Sequence, residues 1–450
     1  MTIKQVVVLA AVAGFAACSS RGPSSSLPPA APRDALHVAA SPIEHVVFIV
    51  QENRSFNNFF MGYPGATTAR YGYNANGRKI RLRPQGLGTP WDIEHSAAAF
   101  FAACDGTGSL PGTDCKMDGW NKEPTGKGEP KNLAYSYVPR DEIAPYWTMA
   151  RQYVLADRTF ASNLDGSFVA HQYVVAAYAH RTVDWPIAAW GCEGGPTDTV
   201  ATILADRTTG PRIRACFDIP TIGGEADKAG LSWRFYAGAV NEDGGMWSSF
   251  QADRKIYNGP DWSTNVINPS AQFLHDVRHG SLANITWITP TWETSDHPGL
   301  NGTKGPAWVT SVVDAIGESK FWKSTTIFIM WDDWGGWFDP VQPVFEDYDG
   351  LGFRVPLLMV SPYAKKGSVT HVQYETSSVL RYIEDNFGLP PLAASDARAN
   401  DPANDARAFD YDQPPRAFQR IAGGKPAEYW MRLERTSRTP RKPAGIIGDD

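Results

Sequence analysis

Two short apolar runs, far apart in the chain, both end in clustered oxygen-bearing side chains. This repeated design constrains the fold more than any other feature. Residues 46–50 are β-branched and apolar, enough for one buried strand. The chain then turns polar through Gln51, Glu52, Asn53 and Arg54. Residues 326–330 form a second such run, followed after Trp331 by Asp332, Asp333, Gly335 and Gly336. A buried strand that stops at oxygen groups is the pattern of the carboxyl end of an α/β sheet, where ligands bind. Carboxylates and an amide are also hard ligands for a divalent cation, and the glycines let backbone approach a ligand closely. Each run alone equally fits a strand ending in a polar turn.

The rest of the chain alternates strand and helix patterns. Further strands are expected at 231–236, 284–289 and 355–360. Tyr146, Met149, Ala150, Tyr153 and Val154 mark a helical stripe that passes into a strand, and Val309, Val312, Val313 and Ile316 mark a second helix. A third helix follows Ser377, its expected cap. This order predicts an α/β fold with a mostly parallel central sheet and helices on both faces. Asp165-Gly166 reads as a turn opening a helix near Ser167. A hydroxyl there lies among free N–H groups at the positive end of the helix, which suits a phosphate or an alkoxide. Ser is also a preferred N-cap, and both readings stand at this point.

Composition narrows the function classes. The 450 residues are 42% hydrophobic, enough for a large core, and the net charge is −6 with no basic block, which argues against nucleic acid as a partner. Sixteen tryptophans and 41 glycines indicate a loop-rich enzyme and keep carbohydrate chemistry under consideration. Lys4 and the short apolar stretch 6–17 read as an export signal, too short to anchor in a bilayer. It ends Phe15-Ala16-Ala17-Cys18, which resembles a lipoprotein cleavage box, with ordinary cleavage near Ala17 as the alternative. The mature chain is therefore expected outside the cytoplasm, as a periplasmic or outer-membrane lipoprotein or a secreted protein. Any membrane attachment would come through that lipid anchor. Residues 19–40 read as a flexible tether. The four remaining cysteines permit three pairings, of which the local one, Cys104–Cys115 with Cys192–Cys216, is expected.

The motifs carry a resemblance. The segment 45–59, the Asp332-Asp333-Trp334-Gly335-Gly336 run and the stretch 352–363 resemble, in order, the motifs of the bacterial phosphoesterase family that contains phospholipases C and related acid phosphatases. The resemblance spans residues 43–392. It implies an alkaline-phosphatase-like fold and hydrolysis of phosphate esters, with a phospholipid or a small ester as substrate. It also implies a divalent metal ion held by Glu52, Asn53, Asp332 and Asp333. Ser167, after a glycine turn and six residues before Tyr173, takes the position of the family's nucleophile, which would form a phosphoseryl intermediate. His95, followed by Met117-Asp118-Gly119-Trp120, and His297, in His297-Pro298, match the family's histidines. These would bind phosphate oxygens or act as acid and base. Two departures stand out. Ala170-His171-Gln172 replaces the usual Pro-Asn-Arg or Pro-Asn-His, and Phe338-Asp339 lacks the frequent Asp-His. His371 is left open between a functional and a surface role. A glycosidase with paired carboxylates and a non-catalytic binding protein on the same fold are the competing readings. The catalytic domain is expected over 41–395, with long insertions at 62–130 and 181–280. Residues 396–450, rich in Asp, Ala, Arg and Pro, are expected to form a poorly structured tail.

Overall fold

The computed structural model describes residues 41–123, 128–239, 245–299 and 302–436. The export signal, lipid attachment at Cys18 and the 19–40 tether lie outside the described residues.

An eight-stranded sheet organises the chain. Its strands are β1 (His45–Gln51), β2 (Val154–Ala156), β3 (Trp233–Tyr236), β4 (Val266–Ile267), β5 (Ile285–Ile288), β6 (Thr325–Trp331), β7 (Leu357–Val360) and β8 (Ser368–Thr370). They lie in the order β4-β3-β5-β1-β6-β7-β2-β8. All run parallel except β7, which is antiparallel to β6 and to β2. The two apolar runs are thus neighbours: β1 and β6 pair along their whole length, from His45 with Thr325 to Gln51 with Trp331. Strands covered on both faces read as near-continuous apolar runs, and β6 is buried throughout, its two threonines included.

Period-two alternation divides the side chains between two helical layers. Phe328 meets Tyr382, which lies on the helix Thr376–Phe387, at 4.9 Å between rings. Trp331, on the opposite face, meets Tyr146 of helix α1 (Ala144–Gln152), also at 4.9 Å. Helix α2 (Ser167–Ala176) shares the Phe328 face, where the Trp287 indole donates to the Val174 carbonyl at 3.1 Å. Helix α3 (Gly305–Gly317) packs with α1. We label Thr376–Phe387 α4. Its cap is Glu375 in a reciprocal box with Ser378 rather than the expected Ser377, whose hydroxyl turns inward to Ser162 and Ser395.

The expectation of a poorly structured tail is corrected over 396–436. Arg398 bridges Glu375 and Asp347. Tyr411 bonds the Tyr382 hydroxyl at 2.8 Å. Helix α5 (Ala427–Thr436) buries Trp430 against Trp308 of α3 and donates from its indole to Ser311 at 2.9 Å. A few well-spaced aromatics anchor a segment whose average composition is polar. Residues 437–450 lie outside the described residues.

Both expected disulfides are present: Cys104–Cys115 and Cys192–Cys216. Among the described residues no helix is long and apolar enough to cross a membrane. The 62–130 region is more ordered than its lack of periodicity indicated. It holds a hairpin, Tyr71–Tyr73 with Lys79–Arg81, and a helix, Ala97–Cys104, capped by Ser96.

Candidate active site

The residues after β1 and β6 meet the first turn of α2 at one end of the sheet. Two backbone features bring them close. Asn53 adopts φ +56°, a left-handed conformation that Asn tolerates better than most residues. Gly335 has φ +58°, and a Cβ there would lie 2.1 Å from the Asn53 carbonyl oxygen. Only glycine lets the loop after Asp333 close on Asn53 in this way. The Asn53 N–H then donates to Asp332 Oδ1 at 3.0 Å.

Ser167 is the first residue of α2, and its cap is Gly166. The hydroxyl caps nothing. It donates to Asp333 Oδ2 at 3.2 Å and accepts from the Asn53 amide nitrogen at 3.2 Å. The N-cap reading is therefore set aside. Asp165, just before it, is fully buried, and burial pushes its carboxyl up to about 8.

Four residues on, one helical turn along the same face, His171 points to the same place. Its Nε2 is 3.1 Å from Glu52 Oε1 and 3.8 Å from Asp332 Oδ2. Ligand atoms of Glu52, His171 and Asp332 all lie within 4.8 Å of one another, and all three residues are buried. The sequence had shown His171 only as a departure from a familiar motif. Its i,i+4 relation to Ser167 was the signal available. Asp333 lies on the other side, facing Ser167 and accepting from the Gly335 N–H at 2.7 Å.

The cluster has the chemistry of a cation site. Asp332 Oδ2 is buried with no hydrogen-bond partner among the described residues. His95 Nδ1 faces the Ile93 carbonyl at 2.7 Å, and its Nε2 lies 2.7 Å from the Asn53 side-chain amide and 3.8 Å from Asp333 Oδ2. With the Asn53 nitrogen on that side, its oxygen converges on Asp332 Oδ1 and Glu52 Oε2. Turned over, the amide donates to both carboxylates and accepts from Ser167 Oγ and His95 Nε2. A cation beside the unpartnered Asp332 oxygen, between Glu52 and His171, offsets the cost of burying adjacent carboxylates. The residues present fit a divalent metal.

His297 completes the rim. Its ring lies 6.4 Å from that of His95, centroid to centroid, and stacks on Trp247 at 5.8 Å. Its Nδ1 faces the Pro298 carbonyl, which fixes the ring's orientation. Asp296, which by sequence could have been a solvated loop charge, is fully buried. It accepts from the Tyr146 hydroxyl at 2.7 Å and the Trp331 indole at 3.1 Å, and burial pushes its carboxyl up to about 7. Arg54 braces the same loop, donating to the Asp296 carbonyl at 2.9 Å beneath Trp337. Burial lowers its guanidinium to about 10.

Two other residues stand apart from the cluster. His371 is half-exposed and pairs with Asp157 at 2.8 Å. Asp339, at the departure from the family pattern, forms a fully buried pair with Arg354, at 2.8 and 3.0 Å.

The arrangement of a hydroxyl, a carboxylate cluster and two imidazoles at a sheet's carboxyl end is that of a phosphate-handling site. The chain matches the Phosphoesterase family over residues 43–390 and belongs to that family. It is a hydrolase of phosphoric ester bonds, and the glycosidase and non-catalytic readings are set aside. Phospholipase C B of Mycobacterium tuberculosis (strain H37Rv) is 25% identical, over 77% of this chain and 74% of its own. Non-specific phospholipase C1 of Arabidopsis thaliana is 24% identical, over 78% and 68%. A non-hemolytic phospholipase C of Burkholderia pseudomallei is 24% identical over 77% of this chain but only 55% of its own. Among solved structures, a protein of the alkaline phosphatase superfamily from Vibrio parahaemolyticus aligns with a TM-score of 0.34 at 11% identity, over 78% of this chain and 68% of its own.

Proposed function

We propose that the protein hydrolyses phosphate esters of the phospholipase C or acid phosphatase type through a phosphoryl group carried on Ser167. The observation that carries this reading is the Ser167 hydroxyl. It opens a buried helix without capping it, and it donates to Asp333 Oδ2 at 3.2 Å. A serine held in this way turns its hydroxyl into the site, beside an acceptor for its proton, rather than onto the helix it opens.

Glu52, Asn53 and Asp332, with His171, would hold a divalent metal; Asp333 borders the same site. The chemistry such an ion supplies when bound is positive charge against the phosphate oxygens and the Ser167 oxygen. Ser167 Oγ attacks phosphorus in line, the Oγ–P bond forms and the ester P–O bond breaks. The serine proton leaves toward Asp333, its hydrogen-bond acceptor. His95 and His297 share two tasks, holding the non-bridging oxygens and protonating the departing alcohol. Water then attacks the phosphoseryl group and restores Ser167.

The relatives named as phospholipases C favour a phospholipid substrate. A panel of phosphatidylcholine and small phosphomonoesters, each with and without chelator, tests this reading. Hydrolysis of phosphatidylcholine that stops on chelation supports a phospholipase C. Turnover of monoesters alone assigns an acid phosphatase, and turnover untouched by chelator removes the metal from the mechanism.

A further inference from the structure

The hairpin in the 62–130 region carries a feature that ester hydrolysis does not use. Asn74 closes it: its Oδ1 accepts from the N–H groups of Asn76 and Arg78, and Gly77 turns at φ +71°. Register pairs Tyr71 with Arg81 and Tyr73 with Lys79, so alternation puts all four on one face. All four are exposed, Tyr71 and Tyr73 to 43% and 48%. The other face is clamped. Gly72 is buried where a Cβ would lie 2.6 Å from Phe338 and 2.9 Å from Tyr135, and the Tyr135 hydroxyl donates to the Tyr73 carbonyl at 2.8 Å. Phe338 belongs to the loop that follows Asp332 and Asp333, so the hairpin is seated at the active-site end of the sheet.

One cleft beside it is lined by charges of one sign, with Glu123 and Glu129 in the adjoining cleft past Lys131. Arg70, Arg78, Lys79, Arg81, Arg83 and Lys131 line one open cleft of about 430 Å³, which has no carboxylate in its lining. Among the described residues none of the six forms an ion pair, and Lys79 lies instead over the Tyr71 ring at 3.6 Å. In a chain of net charge −6, six unpaired cations in one place leave a strong local positive field. Tyrosines standing out among them are the side chains that settle at headgroup level in a bilayer.

We propose that this face docks the enzyme on an anionic phospholipid surface, with Tyr71 and Tyr73 at headgroup depth and the six cations on lipid phosphates. Charge complementarity carries the assignment. The choice of lipid over another polyanion rests on the phospholipid reading above, since a lipid hydrolase gains by being held with its site toward the membrane.

The test is sedimentation of the full chain with vesicles of phosphatidylcholine alone and of an equal mixture with phosphatidylglycerol. The protein should partition onto the mixed vesicles and much less onto the neutral ones, and salt should release it. The variant R78E/K79E/R81E should bind the mixed vesicles at least about a hundredfold more weakly and still hydrolyse a soluble phosphate ester at the wild-type rate. Y71S/Y73S should weaken binding with the salt response retained. Comparing variants of the same chain holds any contribution of the N-terminal segment constant. Equal binding of wild type and the charge-reversed variant overturns the proposal, as does failure to bind mixed vesicles. Single-stranded DNA that displaces the protein from vesicles at lower concentration than phosphatidylglycerol would reassign the face to a nucleic-acid partner. Binding is read without turnover, so its failure is separable from failure of the phospholipid reading.

Discussion

His171 Nε2 lies 3.1 Å from Glu52 Oε1, and this contact joins the first turns of α2 to the end of β1 across 119 positions of sequence. It places an imidazole beside the carboxylates of Glu52 and Asp332, on the same helix face as Ser167. The helix therefore delivers both the proposed nucleophile and a cation ligand, and any shift of α2 moves the two together.

Metal content follows from that geometry. Glu52→Gln, Asp332→Asn and His171→Ala should each lower bound divalent metal while the far-ultraviolet circular dichroism stays that of the wild type. Elemental analysis after dialysis against limiting metal reads the outcome. Full occupancy in a folded, inactive His171→Ala protein would remove that residue from the ligand set.

The buried Asp339–Arg354 pair should be structural. Both side chains are fully buried, so Asp339→Ala leaves a guanidinium uncompensated and should cost about 3–5 kcal/mol. Urea denaturation measures it. Metal content per folded molecule should be unchanged, because the pair makes no contact with the Glu52, His171 and Asp332 cluster.

Stability should fall as pH rises from about 4 to about 8. Burial raises the carboxyls of Asp296, Asp349 and Asp401 to about 7 and that of Asp165 to about 8. In each case the folded state binds the proton more tightly than the unfolded chain. The stabilisation is complete below about pH 4 and is lost as pH rises through the folded values. Over this range the urea midpoint should decline up to about pH 8, and Asp296→Asn should decline less than wild type. Identical slopes for the two proteins would show that Asp296 stays ionised when folded.

The strands were legible because burial on both faces demands unbroken apolar runs, and residues 46–50 and 326–330 supply them. Asp165-Gly166 marked the start of α2 correctly, since a turn before an apolar stretch leaves few alternatives. His171 was not legible as a ligand because sequence comparison registers a missing Pro-Asn before it registers a helix face. The segment 396–436 misled for another reason. Its anchors, Tyr411 and Trp430, follow no period, and loop burial has none. The basic hairpin escaped notice although residues 78–83 carry four cations in six positions, because only strand pairing brings Tyr71 and Tyr73 onto the face of Lys79 and Arg81.

The central claim is that Ser167 carries the phosphoryl group. Ser167→Ala should abolish turnover while metal and inorganic phosphate still bind, and Ser167→Thr should retain part of the activity because it keeps the hydroxyl. Most direct is mass spectrometry of wild-type enzyme quenched in acid within the first turnover of a phosphate ester. The account predicts one added phosphoryl group, located on the peptide that contains Ser167 and absent from the Ala variant. An unmodified Ser167 peptide, with near wild-type turnover in Ser167→Ala, would contradict it and leave water as the attacking group.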